Sequence, residues 1–293
     1  RSIFAGQKVA DIFLSPDCSR IYARFETLNV VYVYSFNGEI IKRLELPESV
    51  QGITLSRDGL RFAAWTRFGQ MWIYDTRSWN KTSFSVEESY TEAQFNEEGA
   101  QIAVVEQTII TVRKTDGSII KSMKKPDGTG LFTSDLRKLY YVSKKNELVE
   151  KDMFSGKERI LMYNPKYSAS YISVYAVSRN GKYIIVNGYN DQKKGTFDIY
   201  TADGRKKGSI LIKQGTARCA EFSDDSSFAV AGLSVVDFWK QNFAQENILR
   251  FKSDGEELNR IKAMSDGVIA AAITPDNKKI VSLANDFRIV IRS

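Results

Sequence analysis

The stretch "LSRDGLRFAAW" at 55–65 is one copy of a phrase that this chain writes seven times. The other copies open at Leu14, Phe95, Phe132, Val177, Phe222 and Ile273. Aligned on a Ser-like residue, they place Ser15, Ser56, Asn96, Thr133, Ser178, Ser223 and Thr274 in one column. The residue before each anchor is apolar: Leu14, Leu55, Phe95, Phe132, Val177, Phe222 and Ile273. Two residues after it stand Asp17, Asp58, Glu98, Asp135, Asn180, Asp225 and Asp276, each an acid or an amide. Six residues after it the chain is apolar again, from Ile21 and Phe62 to Ala229 and Ile280. The anchors are spaced by 41, 40, 37, 45, 45 and 51 residues, a period at which propellers and solenoids are built.

Asp or Asn two residues after Ser favours a tight turn, because these side chains bond their own backbone and tolerate left-handed geometry. The flanks are short, β-branched and aromatic, as strands are. A second turn follows about twenty residues later in most copies, at Asn37-Gly38, Asp116-Gly117, Ser155-Gly156, Asp203-Gly204 and Asp254-Gly255. Each repeat therefore predicts about four short antiparallel strands, and no sustained 3.6-residue period points to a helical solenoid. A four-stranded sheet that is apolar on both faces cannot stand alone; packed radially against copies of itself it buries both. The expected fold class is all-β, a seven-bladed β-propeller of four-stranded antiparallel blades in a single domain over 1–293. The expected blades are 9–49, 50–88, 90–127, 129–165, 170–214, 216–263, and 267–293 together with 1–8. "RIVIRS" at 288–293 reads as a third strand with no fourth after it, so "SIFAG" at 2–6 is expected to supply the outer strand of the last blade.

The period, the Ser-x-Asp turn, and turns such as "YDTRSWNK" (74–81) and "KDMFSGK" (151–157) resemble those of WD-repeat and related propellers, across the whole chain. The copies are degenerate. Gly-His and Trp-Asp never occur, and "WIYD" at 72–75 only approaches the second. The resemblance implies a rigid platform for other macromolecules.

The chain has no histidine, which removes the commonest general base and the commonest zinc ligand. The inner strands offer Asp11, Glu92 and Glu221 with Arg218, too loose a set for a metal cage, so no enzyme activity, catalytic residue, metal or cofactor is expected. Cys18 and Cys219 lie 201 positions apart, which suits two free thiols in a reducing, cytoplasmic setting. A glycosylation triplet, Asn80-Lys81-Thr82, points weakly the other way, and the start on Arg1 is that of a processed product or an excerpt. No run of about 18 apolar residues occurs, so no membrane span is expected.

Two second-to-third-strand connections are longer than their counterparts, "NGYNDQKKGT" (187–196) and "GLSVVDFWKQNFAQEN" (232–247), and the connection between the fourth and fifth blades, "MYNPKYSASY" (162–171), is expected to reach the same face. Long loops in a regular array usually carry function. Their aromatic residues are Tyr163, Tyr167, Tyr189, Phe238, Trp239 and Phe243, and their cations include Lys166, Lys193, Lys194 and Lys240. Aromatic anchors with a basic rim are what protein interfaces favour. "SVVDFW" also suits a strand that buries Phe238 or Trp239 as core. The expected function is a non-catalytic protein-binding scaffold, part of a larger protein or assembly, with protein partners, acidic ones included, and no small-molecule substrate. The net charge of +7 keeps an alternative, a basic propeller that contacts nucleic acid or another anionic polymer. A solute-sensing propeller outside the cytoplasm comes third.

Overall fold

The computed structural model describes residues 2–4, 9–87, 92–128, 130–163, 173–189, 195–213, 217–233, 248–262, 268–274, 276–284 and 288–292. They form strands only, and the chain divides into two compact units.

The first unit comprises Ala5–Lys125 with Ser134–Leu136 and holds three sheets. After the N-terminal strand β1 (Ser2–Phe4), its first blade is β2 (Val9–Leu14), β3 (Arg20–Phe25), β4 (Val30–Ser35) and β5 (Ile40–Glu45). The second is β6 (Val50–Leu55), β7 (Arg61–Thr66), β8 (Gln70–Asp75) and β9 (Lys81–Ser85), and the third is β10 (Glu92–Phe95), β11 (Gln101–Val105), β12 (Ile109–Lys114) and β13 (Ile119–Lys124). The inner strand β6 touches both β2 and β10.

The second unit takes Arg1–Phe4, Pro126–Thr133 and Arg137–Ser293. Its fourth blade is β14 (Gly130–Phe132), β15 (Lys138–Val142), β16 (Glu147–Asp152) and β17 (Glu158–Tyr163). The fifth is β18 (Val174–Val177), β19 (Tyr183–Tyr189), β20 (Gly195–Thr201) and β21 (Lys206–Leu211). The sixth is β22 (Ala217–Phe222), β23 (Phe228–Leu233), β24 (Ile248–Lys252) and β25 (Glu257–Ile261). The seventh is β26 (Val268–Ile273), β27 (Ile280–Ala284) and β28 (Arg288–Arg292), and β1 completes it as the outer strand. Ser2 lies opposite Val290, Ile3 opposite Ile289 and Phe4 opposite Arg288, as the unfinished C-terminal repeat led us to expect.

The recurrent phrase has one physical meaning. In all seven copies the anchor side chain accepts a hydrogen bond from the backbone N–H five residues on: Arg20 to Ser15, Arg61 to Ser56, Gln101 to Asn96, Lys138 to Thr133, Tyr183 to Ser178, Phe228 to Ser223 and Lys279 to Thr274. At Ser15, Ser56, Ser178, Ser223 and Thr274 the anchor hydroxyl in turn donates to the carboxylate or amide two residues on, at 2.6 Å for Ser15–Asp17 and 2.7 Å for Ser223–Asp225. Most anchors are buried, so each would cost about 1–3 kcal/mol without these partners. The hydroxyls of Ser223 and Thr274 are the first cause that holds the carboxyls of Asp225 and Asp276 below the usual range. That contribution to stability is present above the unfolded value and is lost as pH falls through the folded one.

Three residues after every anchor the backbone is left-handed: Cys18, Gly59, Gly99, Leu136, Gly181, Ser226 and Asn277 all have positive φ. Only three of the seven are glycine, so the sequence hides this column. The turn imposes the geometry, and the other residues absorb the strain.

Alternation explains the core. On β7, Phe62 and Ala64 face the first blade with Trp72 and Tyr74, while Ala63 and Trp65 face the third with Met71 and Ile73. On β23, Ala229 and Ala231 join one cluster with Phe197 and Phe251, while Phe228 and Val230 join another with Val268 and Ile273. Both faces of these sheets are thus buried, which requires apolar residues at nearly every position and leaves polar residues to turns and outer strands.

Candidate functional site

Of the residues singled out in the sequence, Tyr163 is the last residue of β17 and Tyr189 the last of β19. Lys166, Tyr167, Lys193, Lys194, Phe238, Trp239, Lys240 and Phe243 lie outside the described residues. The strand ends that lead to them share a geometry. In an antiparallel blade the second and fourth strands run parallel, so they end at the same edge of the sheet. β17 is a fourth strand, while β19 and β23 are second strands, and the inner strands β14, β18 and β22 of their blades touch in succession. The three connections singled out in the sequence therefore leave adjacent blades from one edge.

The fifth-blade connection is shorter than the sequence suggests. Asn187, Gly188 and Tyr189 continue β19 and pair with Phe197, Thr196 and Gly195 of β20. Asn187 also accepts a hydrogen bond from the Ser173 N–H through its side-chain oxygen, which ties the extended hairpin to the start of the inner strand.

The acids of the inner strands do not assemble into a metal site: no group of three potential ligands occurs among the described residues. Asp11 and Glu92 both stand four residues before their anchors, but Glu221 stands two before and Arg218 five before. Asp11 is opposite Arg24 across the β2–β3 ladder. Arg24 Nη1 donates to the Val50 carbonyl at 3.3 Å, and its Nε is buried without a partner.

Burial raises the Asp11 carboxyl from its ordinary 3.8 to about 6; Arg24 and the Ile12 N–H pull it down less. Between those two values the folded protein retains a proton that the unfolded chain has released, so stability falls as pH rises through that window. Asp11→Asn is expected to raise the melting temperature at pH 7.5, by an amount equivalent to about 2 kcal/mol, and to leave it nearly unchanged near pH 4. Thermal melts of both proteins at the two pH values measure this; an equal shift at both would show that charge is not the cause.

A second cluster was not foreseen. It lies on the seam between the first and second blades. Trp79, in the turn between β8 and β9, has φ of 61°. The corresponding turns of five other blades place Gly38, Gly117, Gly156, Gly204 and Gly255 in that left-handed conformation. A bulky residue there is strained by about 1–2 kcal/mol. The Trp79 ring has Arg20 5.8 Å and Lys42 6.0 Å from its centre, and Lys81 stands 6.0 Å from the Trp72 ring and 5.9 Å from that of Tyr74. The signal was available in the sequence: "DTRSWNK" sets Trp where the other repeats set Gly.

No model of a protein family matches the sequence, and no curated protein matches it. Among solved structures, a chain of "Crystal Structure of Mitotic Checkpoint Complex" is similar in fold, with 17% identity and a TM-score of 0.76 over 99% of this chain and 90% of that one. Likeness at that identity is likeness of fold, and it agrees with the seven sheets and their strand order. The chain has the fold of a WD-repeat-like seven-bladed β-propeller, built from four-stranded antiparallel blades, the last of which is completed by the N-terminal strand.

Proposed function

We propose that the protein is a non-catalytic platform that binds other proteins, and that its contact surface is the edge from which the connections after β17, β19 and β23 depart. The observation that carries this reading is the common departure edge of β17, β19 and β23. It brings together the starting points of the segments that hold Tyr167, Lys193, Lys194, Trp239 and Phe243. The similar fold of a chain from a multiprotein complex supports a protein partner. The basic net charge favours an acidic one, and the thiols of Cys18 and Cys219 suit a reducing, intracellular setting.

Trp239 is the anchor of this surface. Burying a Trp at the centre of an interface contributes about 2 kcal/mol or more. Trp239→Ala is expected to weaken a purified partner, identified by proximity labelling and confirmed by calorimetry, about 30-fold or more. The melting temperature should hold. If the variant unfolds, or folds and keeps full affinity, Trp239 is a core residue and the surface loses its centre.

A further inference from the structure

The internal repeat makes the seam between the first two blades unusual in a way that can be read residue by residue. Trp72 in the second blade and Asp198 in the fifth occupy the same place. Each pairs with the residue eight positions after its anchor, Ala64 and Val186 respectively. On the outer strand Lys81 lies opposite Tyr74, as Lys206 lies opposite Tyr200. In the fifth blade the Lys206 ammonium reaches the Asp198 carboxylate at 2.7 Å. In the second blade an indole takes the carboxylate's place, and Lys81 rests over aromatic rings instead.

The neighbouring cations are in the same position. Among the described residues, Arg20, Lys42, Arg77 and Lys81 form no ion pair with a carboxylate, whereas Arg61, Lys138, Lys151, Lys252 and Arg260 each have one within 3.0 Å. Asp17 lies close enough to Arg20 to feel its charge, but one of its oxygens accepts from Ser15 and Ser19 inside its own turn. The seam thus joins cations that have no carboxylate partner, Arg20 donating to the Thr76 carbonyl at 2.9 Å, with a strained and half-buried Trp79. Strain of this kind persists where surrounding contacts enforce it, and it clusters at binding surfaces.

We propose that this seam binds an acidic segment of a partner protein, whose carboxylates serve Lys81 and Lys42 as counter-ions, as Asp198 serves Lys206, and whose apolar neighbours lie on Trp79. This surface belongs to the unit that holds the first three blades, and the one proposed above to the other unit. A protein segment suits it better than a nucleic acid. Trp72 and Tyr74 are too buried to stack on a base.

Fluorescence anisotropy on the full chain tests the proposal with three labelled probes: a 12-residue peptide of alternating Glu and Leu, its Lys and Leu counterpart, and a single-stranded DNA 12-mer. The Glu/Leu peptide is expected to bind at least 10-fold tighter than either of the others. Lys42→Glu with Lys81→Glu, both at exposed positions, should weaken it at least 10-fold, while Lys206→Glu, a reversal at the equivalent and already matched lysine, should weaken it less than 2-fold. Trp79→Gly suits the left-handed backbone, so it should keep the melting temperature within a few degrees and still weaken the peptide about 10-fold. Equal loss from Lys206→Glu and from Lys81→Glu would reduce the effect to net charge and overturn the proposal, as would tighter binding of the DNA or undiminished binding by the double variant.

Discussion

Truncation of residues 1–7 is expected to lower stability by about 4 kcal/mol and the melting temperature by roughly 10 °C. The loss has two parts. The pairing of β1 with β28 at Ser2, Ile3 and Phe4 disappears, and with it the bonds that cross-link the first residues to the last. β28 then becomes an edge, and its buried Ile289 and Val290 lose part of their cover. Differential scanning calorimetry gives the shift, and light scattering should show aggregation of the truncated chain at concentrations where the intact one stays clear. A synthetic peptide of residues 1–7 added in excess should recover part of the lost melting temperature, because it can dock in the vacated place. Unchanged melting after truncation would mean that the seventh blade is stable with three strands.

A second large effect is expected at Gly208, on the outer strand of the fifth blade. A methyl group there would stand 2.6 Å from Gly255 Cα, in the turn of the sixth blade, and nearer still to the Asp254 carbonyl. These are backbone atoms, which no rotamer change can move aside. Gly208→Ala should therefore cost about 3 kcal/mol, near the upper end for overpacking, and lower the melting temperature by roughly 8 °C. Gly195→Ala is the matched control: the added methyl meets only the Ile212 side chain, at 3.4 Å from Cδ1 and 3.8 Å from Cβ, with no left-handed backbone, and should change stability little. Comparable losses in both would assign the effect to chain entropy and strand propensity rather than to the contact between blades.

The blade architecture was legible because it repeats. Ser, its acid or amide partner, and the flanking apolar residues are each weak signals, but a side-chain acceptor for the N–H five residues on is a local chemical need, and it selects the same residue types each time. Closure by β1 was legible for a related reason, since a repeat that ends on its third strand must find a fourth. The left-handed column was hidden, because Cys18, Leu136, Ser226 and Asn277 hold a conformation that only glycine advertises. The extension of β19 through Gly188 and Tyr189 was hidden too, for "NGYNDQKKGT" has the composition of a loop at both ends and pairs only because β20 continues opposite it. The Trp79 seam depends on what an indole replaces in another blade. That comparison needs the registers of two sheets, which composition does not supply.

Joining the first and last strands in one blade also sets how the chain responds to tension. Antiparallel β1 and β28 place Ser2 opposite Val290, so a force applied through the two chain ends acts at one end of the ladder. It loads the backbone hydrogen bonds one after another, as a zipper is opened, rather than all at once. A ladder of three residue pairs pulled in that direction resists little, whereas the strands inside the other blades have no free end at which such peeling can begin. Thermal robustness and mechanical weakness thus meet in the same blade: contacts that close the structure against heat would be the first to give way if the protein were a link under load.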